Sequence, residues 1–165
     1  MAATNVYYMC KGATPFGALR WDGIVSTGQI LLVAGEGSLW GARIAAHLGE
    51  LGFRLLCVVD ANEAWRSLAR DNYDAIIVEA TGDFAEGCLA CRALRPRFGV
   101  PMVLLGSRND SRTRLNSYRA GADVYMAAPI DLLELVARLS GIVRRGRRPA
   151  GQDSWSSQER ALAAG

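Results

Sequence analysis

One lysine, Lys11, and one histidine, His47, are all this 165-residue chain has of either type; the rest of its 19 basic residues are arginine. Chemistry that depends on a buried or catalytic lysine has almost nothing to draw on. A single imidazole likewise leaves little room for histidine acid–base catalysis or a histidine-rich metal centre. Long apolar runs are missing as well: no stretch approaches the roughly 18–20 residues that cross a bilayer as a helix. The four cysteines, Cys10, Cys57, Cys88 and Cys91, are too few for a disulfide framework at this length. No apolar leader segment follows Lys11, so a reducing, cytoplasmic setting without membrane contact is the expectation. The net charge is only +3, which by itself is no footprint for nucleic acid.

What is present is an apolar half: 50% of the residues are hydrophobic, which excludes disorder throughout and suits one domain with tails. Residues 1–29 show no sustained period and read as an irregular extension. From Ile30 the pattern changes. Ile30–Val33 is a short unbroken apolar run ending in Ala34-Gly35, the mark of a strand buried on both faces. Leu39, Ala42, Ala46 and Leu51 then recur at helical spacing, and Gly52 supplies a stop.

The alternation repeats. Strands are expected at Leu55–Val59, Ala75–Val78, Val100–Leu105 and Val124–Ala127, and helices at Ala61–Arg70, Ala85–Arg95, Ser111–Ala120 and Asp131–Arg145. Five strand–helix units imply a doubly wound α/β domain over residues 30–145, flavodoxin-like (βα)5, with a five-stranded parallel sheet in order 2-1-3-4-5. Sites in such a fold lie at the carboxyl ends of the strands. The remainder, residues 146–165, opens with Arg147-Arg148-Pro149 as a basic linker. It ends on a capping box, Ser156-Ser157-Gln158-Glu159.

Two readings compete for the strand-end loops. In the first, Gly35-Glu36-Gly37 leads into the first helix and Asp60 closes the second strand, a pattern that can hold a pyrophosphate at a helix N-terminus. Trp40 argues against it, because it occupies the position where close packing needs a third glycine. The chain also has no length for a substrate domain.

The second reading begins where motifs accumulate in order: Tyr73-Asp74-Ala75-Ile76-Ile77-Val78-Glu79, Pro101-Met102-Val103-Leu104-Leu105, Gly121-Ala122-Asp123-Val124-Tyr125, Pro129, and Glu134-Leu135-Val136-Ala137-Arg138 ahead of Arg144-Arg145. Together they resemble the receiver domain of bacterial two-component response regulators, and most of all the winged-helix (OmpR/PhoB-like) subfamily. In that family a carboxylate-bound magnesium serves an aspartate that accepts a phosphoryl group, while a hydroxyl residue and a lysine stabilise the product.

Laid on this sequence, the resemblance implies a degenerate site. The acidic pair falls on Ala34 and Gly35, with Glu36 beside them, and the phosphoacceptor position is Glu79. The hydroxyl position is Gly106 and the lysine position is Ala128; the switch aromatic, Tyr125, is retained. Without paired carboxylates there is little charge to hold a hard divalent cation. The carboxylate of Glu79 sits one methylene too far out for in-line attack. The expectation is therefore no phosphoryl transfer, no enzymatic activity, no metal and no cofactor. Glu79 is either a fixed stand-in for a phosphorylated aspartate or a tolerated carboxylate at a solvated strand end.

The subfamily pairs through its fourth helix, fifth strand and fifth helix, which here carry Arg114, Asp123, Glu134, Arg138 and Arg145. Homodimerisation by Arg114–Glu134 and Asp123–Arg138 or Asp123–Arg145 contacts is what the resemblance implies, with solvated helix charge as the alternative. DNA contact is expected only through a further domain beyond these residues. Cys88-x-x-Cys91 lies inside the third helix and reads as packing rather than as a redox pair. A stand-alone adaptor, and a small-ligand or nucleotide binder using the Gly35–Gly41 loop, are the competing functions.

Overall fold

The computed structural model describes residues 28–146. Strands and helices alternate as β1 (Gln29–Val33), α1 (Leu39–Glu50), β2 (Arg54–Val58), α2 (Ala61–Leu68), β3 (Ala75–Ala80), α3 (Phe84–Leu94), β4 (Met102–Gly106), α4 (Ser111–Arg119), β5 (Val124–Ala127) and α5 (Leu132–Gly146). All strand pairs are parallel, in the order β2-β1-β3-β4-β5. The expected flavodoxin-like architecture is therefore present. Nearly all of the N-terminal extension, and the tail with its capping box at 156–159, fall outside the described residues.

The unbroken apolar runs are explained by burial on both sheet faces. Leu31, Val33, Ile76, Val78, Met102 and Leu104 join one core with α2 and α3. Their neighbours Ile30, Leu32, Ile77, Val103 and Leu105 point the other way, into a second core with α1 and α5. Successive side chains alternate faces, so a strand covered on both sides needs an apolar residue at every position. Each fully buried Leu or Ile contributes about 1.5–3 kcal/mol. By contrast α4 packs through small polar residues, Thr113 and Ser117, and leaves Leu115 and Tyr118 exposed.

Boundaries differ from the sequence expectation where a specific bond decides them. β3 runs two residues past Val78 because Glu79 and Ala80 pair with Leu105 and Gly106 of β4. β4 starts at Met102 rather than Val100: Met102 donates its N–H to Asp123, whereas Pro101 has no N–H to give. α2 stops at Leu68, where the Arg70 amide turns back to the Ser67 carbonyl. Gly52 ends the α1 connection at φ 88°, a left-handed backbone angle that favours glycine.

Helix starts are marked by side chains. Ser38, Asp60, Asp83 and Asp110 cap α1 to α4, each accepting a backbone N–H of the first turn. Asp131 does the same for α5, accepting from Leu133 and Glu134. Helices run antiparallel to the strands, so all five caps gather at the carboxyl ends of the strands. This is where the candidate site lies.

Candidate functional site at the strand carboxyl ends

At the end of β3, the Glu79 carboxylate has both oxygens engaged. Ser38 Oγ donates to Oε2 at 2.8 Å. Thr81 donates its backbone N–H to Oε1 at 2.9 Å, and its hydroxyl to the same oxygen. Ser38 also accepts from the Gly41 N–H at 3.0 Å, so one hydroxyl both caps α1 and holds the β3 carboxylate. The donors around Glu79 are neutral: two hydroxyls and an amide.

Of the other positions expected around it, only Glu36 carries a charged side chain. Ala34 and Gly35 present no polar side chain, and Glu36 is exposed. Gly106 and Ala128 are joined through the backbone, the Ala128 N–H donating to the Gly106 carbonyl at 2.7 Å. The Ala128–Pro129 peptide is cis. Tyr125 is buried against the site, its hydroxyl donating to the Arg108 carbonyl at 2.6 Å and its ring edge-on to Phe84. Burial raises its phenol pKa, opposed by the bond to Arg108.

The loop after β4 is held independently. Asp110 accepts from the Thr113 N–H at 2.9 Å and from the Thr113 hydroxyl at 2.8 Å, and pairs with Arg108 at 3.1 Å. These bonds, the Thr113 amide first, lower its carboxyl pKa to about 2.

Receiver chemistry calls for magnesium, and the residues here do not fit it. Among the described residues no group of three or more His, Cys, Asp or Glu is placed to hold a metal. Glu79, the carboxylate expected at the phosphoacceptor position, is engaged by Ser38 and Thr81. A hard cation of this kind wants carboxylate and water oxygens in octahedral array, and hydroxyl donors turned toward the carboxylate compete with that.

Beside Glu79 lies a cleft of about 400 Å³ between α2 and α3, lined by Val33, Asp60, Glu79, Asp83, Glu86 and Leu89 among others. Every charged side chain lining it is acidic. Asp60 is occupied as a cap, accepting the Glu63 N–H at 2.8 Å.

Of the expected pairing residues, Glu134 and Arg138 meet each other within α5 at 2.5 Å. Asp123 is bound to Arg95 and to the Met102 N–H at 2.7 Å, which ties β5 to the start of β4. Arg114 donates to Asn109 at 2.5 Å, and Arg145 is exposed at the end of α5. Cys88 and Cys91 are buried free thiols. Burial pushes both pKa values up, that of Cys91 to about 12.

Ser38, Thr81 and Arg95 were not legible as site residues. Ser38 had a signal, a hydroxyl residue between a Gly-x-Gly turn and a helical run. Thr81 had none because it stands in the irregular segment just after β3, and Arg95 had none because its partner Asp123 lies 28 positions away.

No protein-family model matches the chain. Similarity to known proteins is nonetheless clear. The transcriptional regulatory protein PrrA of Mycobacterium tuberculosis is 32% identical over 136 residues, 82% of this chain and 56% of that protein. The receiver domain of the Pseudomonas aeruginosa PAO1 sensor histidine kinase PA1611, solved with magnesium coordinated in its active-site cleft, is 30% identical. Its TM-score is 0.59 over 72% of this chain and 99% of that one. The Francisella response regulator 1452 receiver domain shares the fold at TM-score 0.66 and 20% identity, covering 73% of this chain and all of that one. The chain belongs to the receiver-domain family of two-component response regulators. It spans little more than half the length of the curated relative it matches. No helix among the described residues is long and apolar enough to cross a membrane.

Proposed function

We propose that this chain is a receiver domain released from phosphorylation, a regulatory protein-interaction module rather than an enzyme. It would serve a bacterial transcription regulator of the winged-helix subfamily that reaches DNA through a further domain. The observation that carries this reading is the bonding of Glu79. Its carboxylate is held by Ser38 and Thr81, while the hydroxyl and lysine positions are Gly106 and Ala128. Phosphoryl transfer is electrostatic positioning by metal and cations; among the described residues no group of three or more His, Cys, Asp or Glu is placed to hold a metal, and position 128 is alanine. Incubation of the chain with a small phosphodonor and magnesium is expected to give no phosphoryl-mass adduct. A stoichiometric adduct overturns the reading.

Its output would be self-association through α4, β5 and α5. Exposed Leu115 and Tyr118 on α4 supply apolar area, and Arg114, Glu134 and Arg145 supply charge for register. Asp123, held by Arg95 and Met102, would serve that face only by keeping its position beside β5. A two-fold dimer in the absence of phosphate is the expected solution state in the cytoplasm; a monomer at high micromolar concentration counts decisively against it. The nucleotide reading of the Gly35–Gly41 loop has less support. A phosphate at the α1 N-terminus would meet the Glu79 carboxylate, and Ser38 already caps that helix.

A further inference from the structure

The small net charge hides a sorting of charge between the two ends of the domain. Asp60, Asp83, Asp110 and Asp131 cap the starts of α2 to α5, while the ends of these four helices carry arginine; α1, capped by Ser38 and ending in Glu50, is the exception. Because the sheet is parallel, every helix ends where the strands begin, so these arginines share one end of the molecule. Arg66 and Arg70 lie at the end of α2, Arg92 and Arg97 at and just beyond the end of α3, and Arg119 ends α4; all five are exposed. None of them is in an ion pair with a described residue. The α2 and α3 ends are drawn together by an edge-on contact of Trp65 with Phe98, ring centroids 6.4 Å apart.

Among the described residues four acids lie at this end, Glu50, Asp71, Asp74 and Asp123, and two of them are occupied. Asp74 accepts the Gln29 N–H at 2.8 Å, and Asp123 is bound to Arg95 and Met102. Asp71 is exposed. The helix dipole accounts for a cation at a helix end. It does not require two exposed arginines at each of two adjacent ends with a third helix end beside them.

We propose that this α2–α3–α4 edge binds the phosphate backbone of double-stranded DNA, a contact made by the receiver domain itself and separate from self-association or phosphorylation. Arginine forks match phosphate oxygens in pairs. Packed helices lie about 8–10 Å apart, so three helix ends span about 20 Å, or roughly six base pairs at about 3.4 Å each. α5 finishes at the same end with exposed Arg144 and Arg145, which extends the positive field toward the chain exit. Trp65 is 43% exposed but is the one large exposed apolar side chain among the arginines at the ends of α2 and α3. A membrane-surface face needs a continuous apolar stripe, so a duplex fits this edge better than a bilayer does.

The test is fluorescence anisotropy of the 165-residue chain with a short labelled duplex of random sequence, across a salt series. Binding is expected, with log K falling against log salt at a slope of about −4.5 for roughly five phosphate contacts. The variant Arg66→Ser/Arg70→Ser/Arg92→Ser/Arg97→Ser should weaken binding at least tenfold and bring the slope about 3.6 units nearer zero. Arg43→Ser/Arg112→Ser, away from this edge, should leave binding unchanged; circular dichroism and melting establish that both variants fold. Absence of duplex binding overturns the proposal. So does unchanged binding by the four-site variant, which would assign the affinity to the arginines at the exit. Binding to phosphatidylserine vesicles without binding to duplex would make the edge a lipid surface instead. Sedimentation of the same samples reads dimerisation separately.

Discussion

Gly106 and Tyr125 approach so closely that a Cβ on Gly106 would lie 2.5 Å from the Tyr125 hydroxyl oxygen. The tyrosine occupies the space that a side chain at the end of β4 would need, and its hydroxyl is anchored on the Arg108 carbonyl. The absence of a side chain at position 106 and the inward setting of the aromatic at 125 are one packing arrangement.

A hydroxyl residue at position 106 should therefore cost stability. Gly106→Thr is expected to lower unfolding free energy by about 1–3 kcal/mol, the usual range for overpacking. Tyr125→Ala should relieve much of that penalty when combined with it. A double-mutant cycle in urea, with a coupling energy well above additivity error, checks this.

Glu79 should behave as a structural acceptor. Glu79→Ala leaves the Ser38 and Thr81 hydroxyls and the Thr81 amide without their acceptor, and should cost about 1–3 kcal/mol. Glu79→Gln retains one acceptor oxygen and should cost less. Melting curves of the wild type should not move on adding millimolar magnesium chloride. An upward shift of several degrees would show a cation site.

Asp110 sets a pH dependence. Its folded pKa is depressed to about 2, against about 3.9 for a free aspartate. The ionised cap therefore contributes stability that is fully present above the unfolded value and is lost as pH falls toward the folded one. Asp110→Asn should melt below the wild type at neutral pH, with the gap narrowing between about pH 4 and pH 2 as the wild type loses its charge.

Cys91 should be chemically silent. A thiol buried in α3 with its pKa raised to about 12 has almost no thiolate at neutral pH. Alkylation followed by peptide mass spectrometry should leave Cys88 and Cys91 unmodified in the native chain and label both in denaturant. Rapid native labelling of Cys91 would contradict the packing role.

The α4 surface can be tested without disturbing the core. Tyr118 is 45% exposed, and Tyr118→Glu should shift the sedimentation profile from dimer to monomer while leaving the melting temperature within a few degrees of wild type. Dimer retention would move self-association to another face.

Legibility followed the range of the interactions involved. Strand order was legible because unbroken apolar runs such as Ile30–Val33, spaced by amphipathic helices, admit few other packings. The assignment of Ala34, Gly35, Gly106 and Ala128 to the acidic, hydroxyl and lysine positions rests on motif order and remains part of the proposed reading. The partners of Glu79 were not legible, since Ser38 is 41 residues away in the chain and meets it only when β1 pairs with β3. Asp123 carried a second lesson: its sign suited an intersubunit pair, yet folding brings Arg95 to it from 28 positions away.

What the sequence by itself determined was the alternation of elements, the burial of both sheet faces and the absence of a lysine at position 128. Those depend on side-chain type and local period alone. Only the tertiary structure decided which donors hold Glu79, why Tyr125 turns inward over Gly106, and that arginines scattered along the chain share one end. Each of these depends on residues far apart in sequence being brought within hydrogen-bonding, packing or electrostatic range, which the parallel sheet does and composition cannot encode.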